Sequence, residues 1–351
     1  MFAADLVASL NGLGVDQGVA VLRGSNGDGL DFEAATTVLS SSTDRFPHPV
    51  DVGSLRRLHL LQAEFRPAVV QAHGGEALKY CAAPFAISTP IIYRRIGASP
   101  PRVATKLKKA GYGWLMRRAK SVIAVSEASR RETVSRFGVR PDRIVTIPNA
   151  VDMKRLMVTR NRETMRAELG IPDDGFVVLS VGALTWEKDP LAHLEVMSRV
   201  MAKERRAIHI FVGDGPLRGE LEARIERLEL GERTRLLGVR ADIADVIVCG
   251  DVLLLASCTE GMPAAVIEAG ALRLPVAAYG VAGVPEIVID GETGVLVPPN
   301  EVDALVLSLR DLMNDEPKRK GMGRAAATHY RRHFDIRSVA PRYMDLYQRL
   351  I

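Results

Sequence analysis

The chain has 351 residues, 47% hydrophobic and 25% charged, too long for one compact core and ordinary in composition, so two globular domains are the default expectation. No apolar run reaches the roughly 18 residues of a membrane span, and no basic-then-apolar leader opens the chain, which makes the cytoplasm the default compartment. The three scattered cysteines, Cys81, Cys249 and Cys258, include no CxxC pair for zinc or redox chemistry and read as reduced.

In chain order, the sequence opens on a helix with Phe2, Leu6, Val7 and Leu10 on one side, followed by a strand over residues 19–22. Short β-branched runs at 68–71, 91–93, 121–125, 176–181, 208–212, 252–256, 276–278 and 295–297 are further strand candidates. Helical patterns such as 216–228 and 303–313 lie between them, and strands alternating with helices indicate parallel sheets covered by helices. A charged, helix-prone pause at 152–174 marks a boundary, giving domains over 1–155 and 165–330, with a last helix over 334–351 returning to the first. The expected architecture is α/β: two doubly wound Rossmann-like domains facing a cleft, with ligands at the carboxyl ends of the strands.

The net charge of +5 is modest but uneven. Arg94, Arg95, Arg102, Lys106, Lys108, Lys109, Arg117, Arg118 and Lys120 follow one another without an acid. Val103, Leu107, Ala110 and Trp114 recur among them at helical spacing, which predicts an apolar stripe beside a cationic one. A solvated helix and a face for anionic lipid both fit; nucleic acid does not, because interleaved aromatics are lacking.

The stretch "CTEGMPAAVIEAG" places Glu260 in a loop after a buried strand and Glu268 about one and a half turns into the next helix, with Pro263 at its start. First-turn N–H groups at Met262, Ala264 and Ala265 would favour an anionic or hydroxyl-rich ligand, and carboxylates suit sugar and ribose diols. A surface acid plus an unrelated helix acid is the plain alternative. After the strand "FVVLS" comes "VGALTWEKDP", where Gly182 permits close backbone approach, Lys188 can reach phosphate, and Asp189 with Pro190 would cap the following helix. "GDGP" at Gly213–Pro216 is a tight turn into another helix.

Taken jointly, Glu260-x7-Glu268, "GALTWEK", "GDGPLRGELE", "RLLGVRADI", "AGVPEIVIDGETGVLVPP" and "VIAVSEASRRETVSRFGVRPDRIVTIPNAVD" resemble, in their order, the retaining glycosyltransferases of the GT-B fold, family 4. The resemblance runs from Ser121 to the end and is weaker before it. It implies a nucleotide-diphospho-sugar donor, as substrate rather than cofactor, in the C-terminal domain. A glycan, lipid-linked or small-molecule acceptor would lie in the N-terminal one. Carried over, Glu268 holds the ribose, Glu260 with the amides of Gly261 and Met262 the sugar, Lys188 the diphosphate, and Leu237 the base through its backbone; Gly182, Ala183, Pro263 and Ala264 complete the donor loops. The resemblance also implies transfer with retention, a donor phosphate oxygen taking the acceptor proton. No metal is required, since a lysine and a helix N-terminus can meet the leaving charge, and the basic "HYRRH" around His329 and His333 suits no cation.

The pattern departs from the family in three places. Gly182-Ala183 stands where many members have Gly-Arg, so Lys188 carries more alone unless Arg218 or Arg240 substitutes. Ile96 occupies the place of the family's N-terminal histidine, leaving His73 as the candidate for acceptor or sugar contact, or as a structural histidine. Members also begin one unit earlier, with an apolar strand and a glycine-rich turn; that first strand is missing here, and the expectation is that Met1 is an internal methionine. A nucleotide-sugar-binding protein without turnover and a GT-B nucleotide-sugar epimerase are the rival readings. A nicotinamide enzyme is excluded because the glycines of "GLGVDQG" follow a helix and precede a strand.

Overall fold

Every strand pairing among the described residues is parallel, the arrangement that β-strands take when helices cover both faces. The computed structural model describes residues 1–22, 32–40, 51–83, 89–97 and 105–351, without the side chains of 106–108. It divides into two compact units, Met1–Ala150 with Ile336–Ile351, and Val151–Asp335.

The first unit runs through α1 (Phe2–Asn11), β1 (Gly18–Val21), β2 (Ala35–Val38), α2 (Val52–Phe65), β3 (Val70–His73), α3 (Gly74–Cys81), β4 (Ile91–Arg95), α4 (Lys106–Arg118), β5 (Ser121–Ala124), α5 (Glu127–Phe137) and β6 (Ile144–Thr146). β1 pairs with β2, and β3 to β6 form a four-stranded sheet in chain order. Asp51 and Ser126 start α2 and α5 by accepting the N–H groups of Ser54 and Ser129, as short polar side chains do for orphan first-turn donors.

The start of the basic run is corrected by β4. A strand buried on both faces sends successive side chains to opposite sides, and Arg94 and Arg95, at 1% and 2% exposure, point into the protein. Arg94 donates to the Tyr343 hydroxyl and Asn149 Oδ1 and lies 3.6 Å from the Phe2 ring centroid. Arg95 donates to Ser129 O, Thr133 Oγ1 and the Glu132 carboxylate. The stripe forecast on α4 is also displaced. Ala110 and Trp114 are exposed, while Met116 and the following Ala119 are buried; Arg102 and Val103 lie outside the described residues, as do the side chains of Lys106, Leu107 and Lys108. Helical spacing identified a stripe but not the side that packs, because α4 presses Met116 and Ala119 into the core beneath β5.

The second unit contains α6 (Arg162–Glu168), β7 (Phe176–Val181), α7 (Pro190–Met201), β8 (Ala207–Val212), α8 (Arg218–Arg227), β9 (Thr234–Leu236), α9 (Ile243–Cys249), β10 (Val252–Leu255), α10 (Ala264–Ala271), β11 (Val276–Tyr279), β12 (Gly294–Val297), α11 (Val302–Asn314) and α12 (Glu316–His333). Its six-stranded sheet has the order β12-β11-β10-β7-β8-β9. The charged stretch before β7 belongs to this unit. Arg160 pairs with Asp242 and Asp245, and Arg162 and Arg166 both reach Asp251. The last helix, α13 (Ile336–Gln348), belongs to the first unit, where Val339, Ala340 and Tyr343 pack with Leu6 and Leu10 of α1 and with Ile92 and Ile123.

Candidate functional site

The sheet of the second unit grows outward from β7 in two directions, through β8 and β9 on one side and through β10, β11 and β12 on the other. The loops that leave β7 and β10 therefore emerge side by side where the strand order reverses, the place at which open parallel sheets form ligand sites. Lys188 sits in the first loop and Glu260 in the second.

They meet there. Lys188 Nζ is 2.7 Å from both oxygens of Glu260, and Ser257 Oγ donates to Glu260 Oε1 at 2.8 Å. The carboxylate is only 6% exposed. A buried charge without a partner costs several kcal/mol, and the contact gives each group its partner. The lysine stem lies along Gly182, where an added Cβ would stand 3.6 Å from Lys188 Cε. Gly213, with φ +133°, supports that floor: a Cβ there would fall 2.0 Å from Gly182 O, so the exits of β7 and β8 touch because residue 213 is glycine.

Backbone bonds weld the two loops together. The N–H groups of Cys258 and Thr259 donate to Glu187 O at 3.0 and 3.4 Å, while Gly283 N, in the loop after β11, donates to Glu260 O at 3.3 Å and ties a third loop to the second. Asp189, with φ 44°, caps α7 by accepting Ala192 N–H at 3.1 Å, with Pro190 as the first helical residue. The exposed Cys258 thiol donates to its other oxygen at 3.2 Å, and burial followed by that carboxylate pushes the thiol up to about 11.

Pro263 precedes α10 without a side-chain cap, so the first-turn N–H groups of Ala264 and Ala265 have no intrahelical acceptor. Gly261, Ala264 and Ala265 are half-buried, and Met262 and Glu268 are buried at 7% and 8% exposure. Leu237 follows β9, its N–H committed to Phe211 O, and Gly238 O accepts from Gly213 N. Ala183 is exposed. The two candidates for its missing cation are engaged elsewhere: Arg218 with Asp214 and Glu222, Arg240 with Asp242 and Glu168.

His73 lies apart from these groups, in the first unit, at the carboxyl end of β3 and in register with Arg94 of β4. Its Nε2 is 2.8 Å from Gln71 Nε2, and Gln71 Oε1 accepts from the Tyr347 hydroxyl at 2.9 Å. An amide nitrogen only donates, so Nε2 is the accepting atom and the ring proton sits on Nδ1. Burial, then the Arg94 guanidinium, pushes its pKa down to about 3. Among the described residues no group of three or more His, Cys, Asp or Glu side chains is placed to hold a metal ion, and none of their helices is long and apolar enough to cross a membrane.

Ser257, Gln71 and His193 were not anticipated. Ser257, three residues before Glu260, is findable as a local hydroxyl-to-carboxylate contact. His193 leaves no trace, since it occupies a position in the apolar stripe of α7.

Known proteins resemble this chain in sequence and in fold. The family described as glycosyl transferases group 1 matches residues 161–329, and the family described as glycosyltransferase family 4 matches residues 1–155. A D-inositol 3-phosphate glycosyltransferase of Kineococcus radiotolerans is 28% identical over 66% of this chain and 58% of its own length. A UDP-Gal:alpha-D-GlcNAc-diphosphoundecaprenol alpha-1,3-galactosyltransferase of Escherichia coli is 26% identical over 76% of this chain and 71% of its own. In fold, sucrose-phosphate synthase of Thermosynechococcus elongatus superposes with a TM-score of 0.84 at 19% identity, covering 99% of this chain and 92% of that one.

Proposed function

From the premise that this chain belongs to the GT-B glycosyltransferases of family 4, we propose that it moves a sugar from a nucleotide-diphospho-sugar donor to a hydroxyl acceptor with retention at the anomeric carbon. The observation that carries the reading is the Lys188–Glu260 pair at the reversal point of the second sheet. Donor arrival exchanges one ion pair for two contacts: the diphosphate takes Lys188, and the sugar hydroxyls take the oxygens of Glu260 while Ser257 keeps that carboxylate oriented. Negative charge that grows on the departing diphosphate is met by Lys188 and by the N-terminus of α10. Glu268 holds the ribose, and the Leu237 segment lies beside the base. On this reading His73, neutral with its proton on Nδ1, contacts an acceptor that is a glycan, lipid-linked or a small molecule; the relatives' names include both a diphosphoundecaprenol-linked sugar and D-inositol 3-phosphate.

A thermal-shift screen with UDP, GDP, ADP and their common sugars tests the donor class, because a ligand bound only by the folded state raises the midpoint. A second reading, donor binding without turnover, is favoured by Ala183 and by the engagement of Arg218 and Arg240. Sugar release or transfer, measured with binding as a control, separates the two.

The described part of α4 offers a membrane-facing surface smaller than the sequence implies. Arg118 lies 5.1 Å from the ring centroid of Trp114, which is 44% exposed, and Arg117 and Lys120 are exposed beside it. Peripheral attachment to the inner face of the membrane requires that the protein sediment with anionic vesicles and leave them as salt rises, each cation contributing about 1 kcal/mol near the leaflet. Equal behaviour with neutral vesicles refutes the attachment.

A further inference from the structure

His193 lies on α7, 5% exposed, and uses both ring nitrogens. Nδ1 is 2.9 Å from Asp189 O, and the Ala256 N–H donates to Nε2 at 3.0 Å. A carbonyl can only accept and an amide N–H can only donate, so these partners require a neutral ring with its proton on Nδ1. Burial acts in the same direction, pushing the group down to about 4.

The two partners are not ordinary positions. Asp189 directly follows Lys188, and Ala256 directly precedes Ser257, whose hydroxyl binds Glu260. His193 thus holds the neighbour of Lys188 on one side and, on the other, the neighbour of the serine that binds Glu260, and it lines a small pocket together with Gly182, Lys188, Phe211 and Ser257. Besides the Lys188–Glu260 pair, the two loops are linked around the exposed Cys258 by bonds from Cys258 and Thr259 to Glu187 and Asp189.

We propose that His193 is a positioning residue: its neutral imidazole is the buried strut that sets the spacing of the Lys188 loop against the Glu260 loop. The role rests on the transfer reading of this site only for its kinetic consequence. Charge on the leaving diphosphate appears in the transition state, so a displaced lysine weakens turnover more than it weakens binding of the donor.

Cys258 supplies a readout that needs no substrate, because its thiol contacts Asp189 across the same gap. Three substitutions grade the strut. His193→Leu fills the space and makes neither bond; His193→Asn keeps a donor for Asp189 O but falls short of Ala256; His193→Gln reaches Ala256. Alkylation of Cys258 by iodoacetamide, followed by mass spectrometry in the folded protein, is expected to run about fivefold or more faster in the Leu and Asn variants, with Gln near the wild type. Should the Leu variant not fold, the contrast between Asn and Gln decides. Equal rates in all folded variants overturn the strut. Turnover is then measured with whichever of UDP-glucose, UDP-galactose, GDP-mannose and ADP-glucose the protein turns over, alongside Lys188→Ala. A fall in kcat with nearly unchanged KM in the Asn variant, restored by Gln, supports the role, and unchanged kcat in Asn beside an inactive Lys188→Ala refutes it. If Lys188→Ala stays active, the transfer reading fails, and the alkylation rates still decide the strut.

Discussion

The carboxyl edges of the six-stranded and the four-stranded parallel sheets are built on opposite principles. In the second unit, Lys188 is 30% exposed over a nearly buried Glu260, a salt bridge that a ligand can open from one side. In the first, Arg94 is sealed at 1% exposure among neutral partners, and His73 beside it is kept uncharged. On the proposed reading one edge holds charge in reserve for a ligand, while the other commits its polar groups to packing.

Lys188→Ala should break this contrast most severely. Loss of the cation is expected to lower turnover by about 10² or more while circular dichroism shows the fold retained. A folded, fully active variant removes the charged edge from the mechanism. Glu268→Ala comes next, with a loss of donor affinity of about 1–3 kcal/mol for a charged hydrogen bond, read by calorimetry. Unchanged affinity would take the ribose contact away from that residue.

Arg94→Leu probes the other edge. Removing the donor to Tyr343 and Asn149 is expected to destabilise the first unit by about 1–3 kcal/mol, seen in denaturant unfolding, and to leave donor affinity in the second unit within about twofold. A fall in donor affinity as large as that of Glu268→Ala would erase the distinction between the edges.

The smallest expected effect is a dependence on acidity. Burial holds His73 at about 3, His193 at about 4 and His209 well below its ordinary value. With the folded pKa depressed, the unfolded chain binds more protons between those values and about 6.5, so stability rises with pH through that window and is lost on acidification from 6.5 downward. Among the described residues burial lowers three histidines in the second unit, His193, His209 and His329, and one in the first, His73. Thermal midpoints should drop by a few degrees between pH 6.5 and 5, with amide exchange quickening more in the second unit; a midpoint indifferent to pH over that span would contradict the sign.

Much of the fold was legible from local pattern. The run at 176–181 became β7 with the same bounds, and the other apolar runs became strands shifted by a residue or two. Three strands escaped, Ala35–Val38, Ile144–Thr146 and Thr234–Leu236, because Thr and Arg interrupt their apolar character and the first has exposed positions. The loops bearing Lys188 and Glu260 were legible as glycine-bearing segments after strands. Their bond to one another was not, since 72 residues separate them and no local rule reports which strands become neighbours.

Residue types and spacing alone determined the alternation of strand and helix, the helix start at Asp189, and the motif order that marks the family, because each depends on interactions within a few residues. Tertiary structure alone decided that Arg94 and Arg95 lie inside, that α4 turns Met116 rather than Trp114 to the core, and that His193 joins two distant loops. Burial and long-range hydrogen bonding are properties of what packs against a residue, and a buried arginine or histidine reads in sequence like an exposed one until its partners are in place.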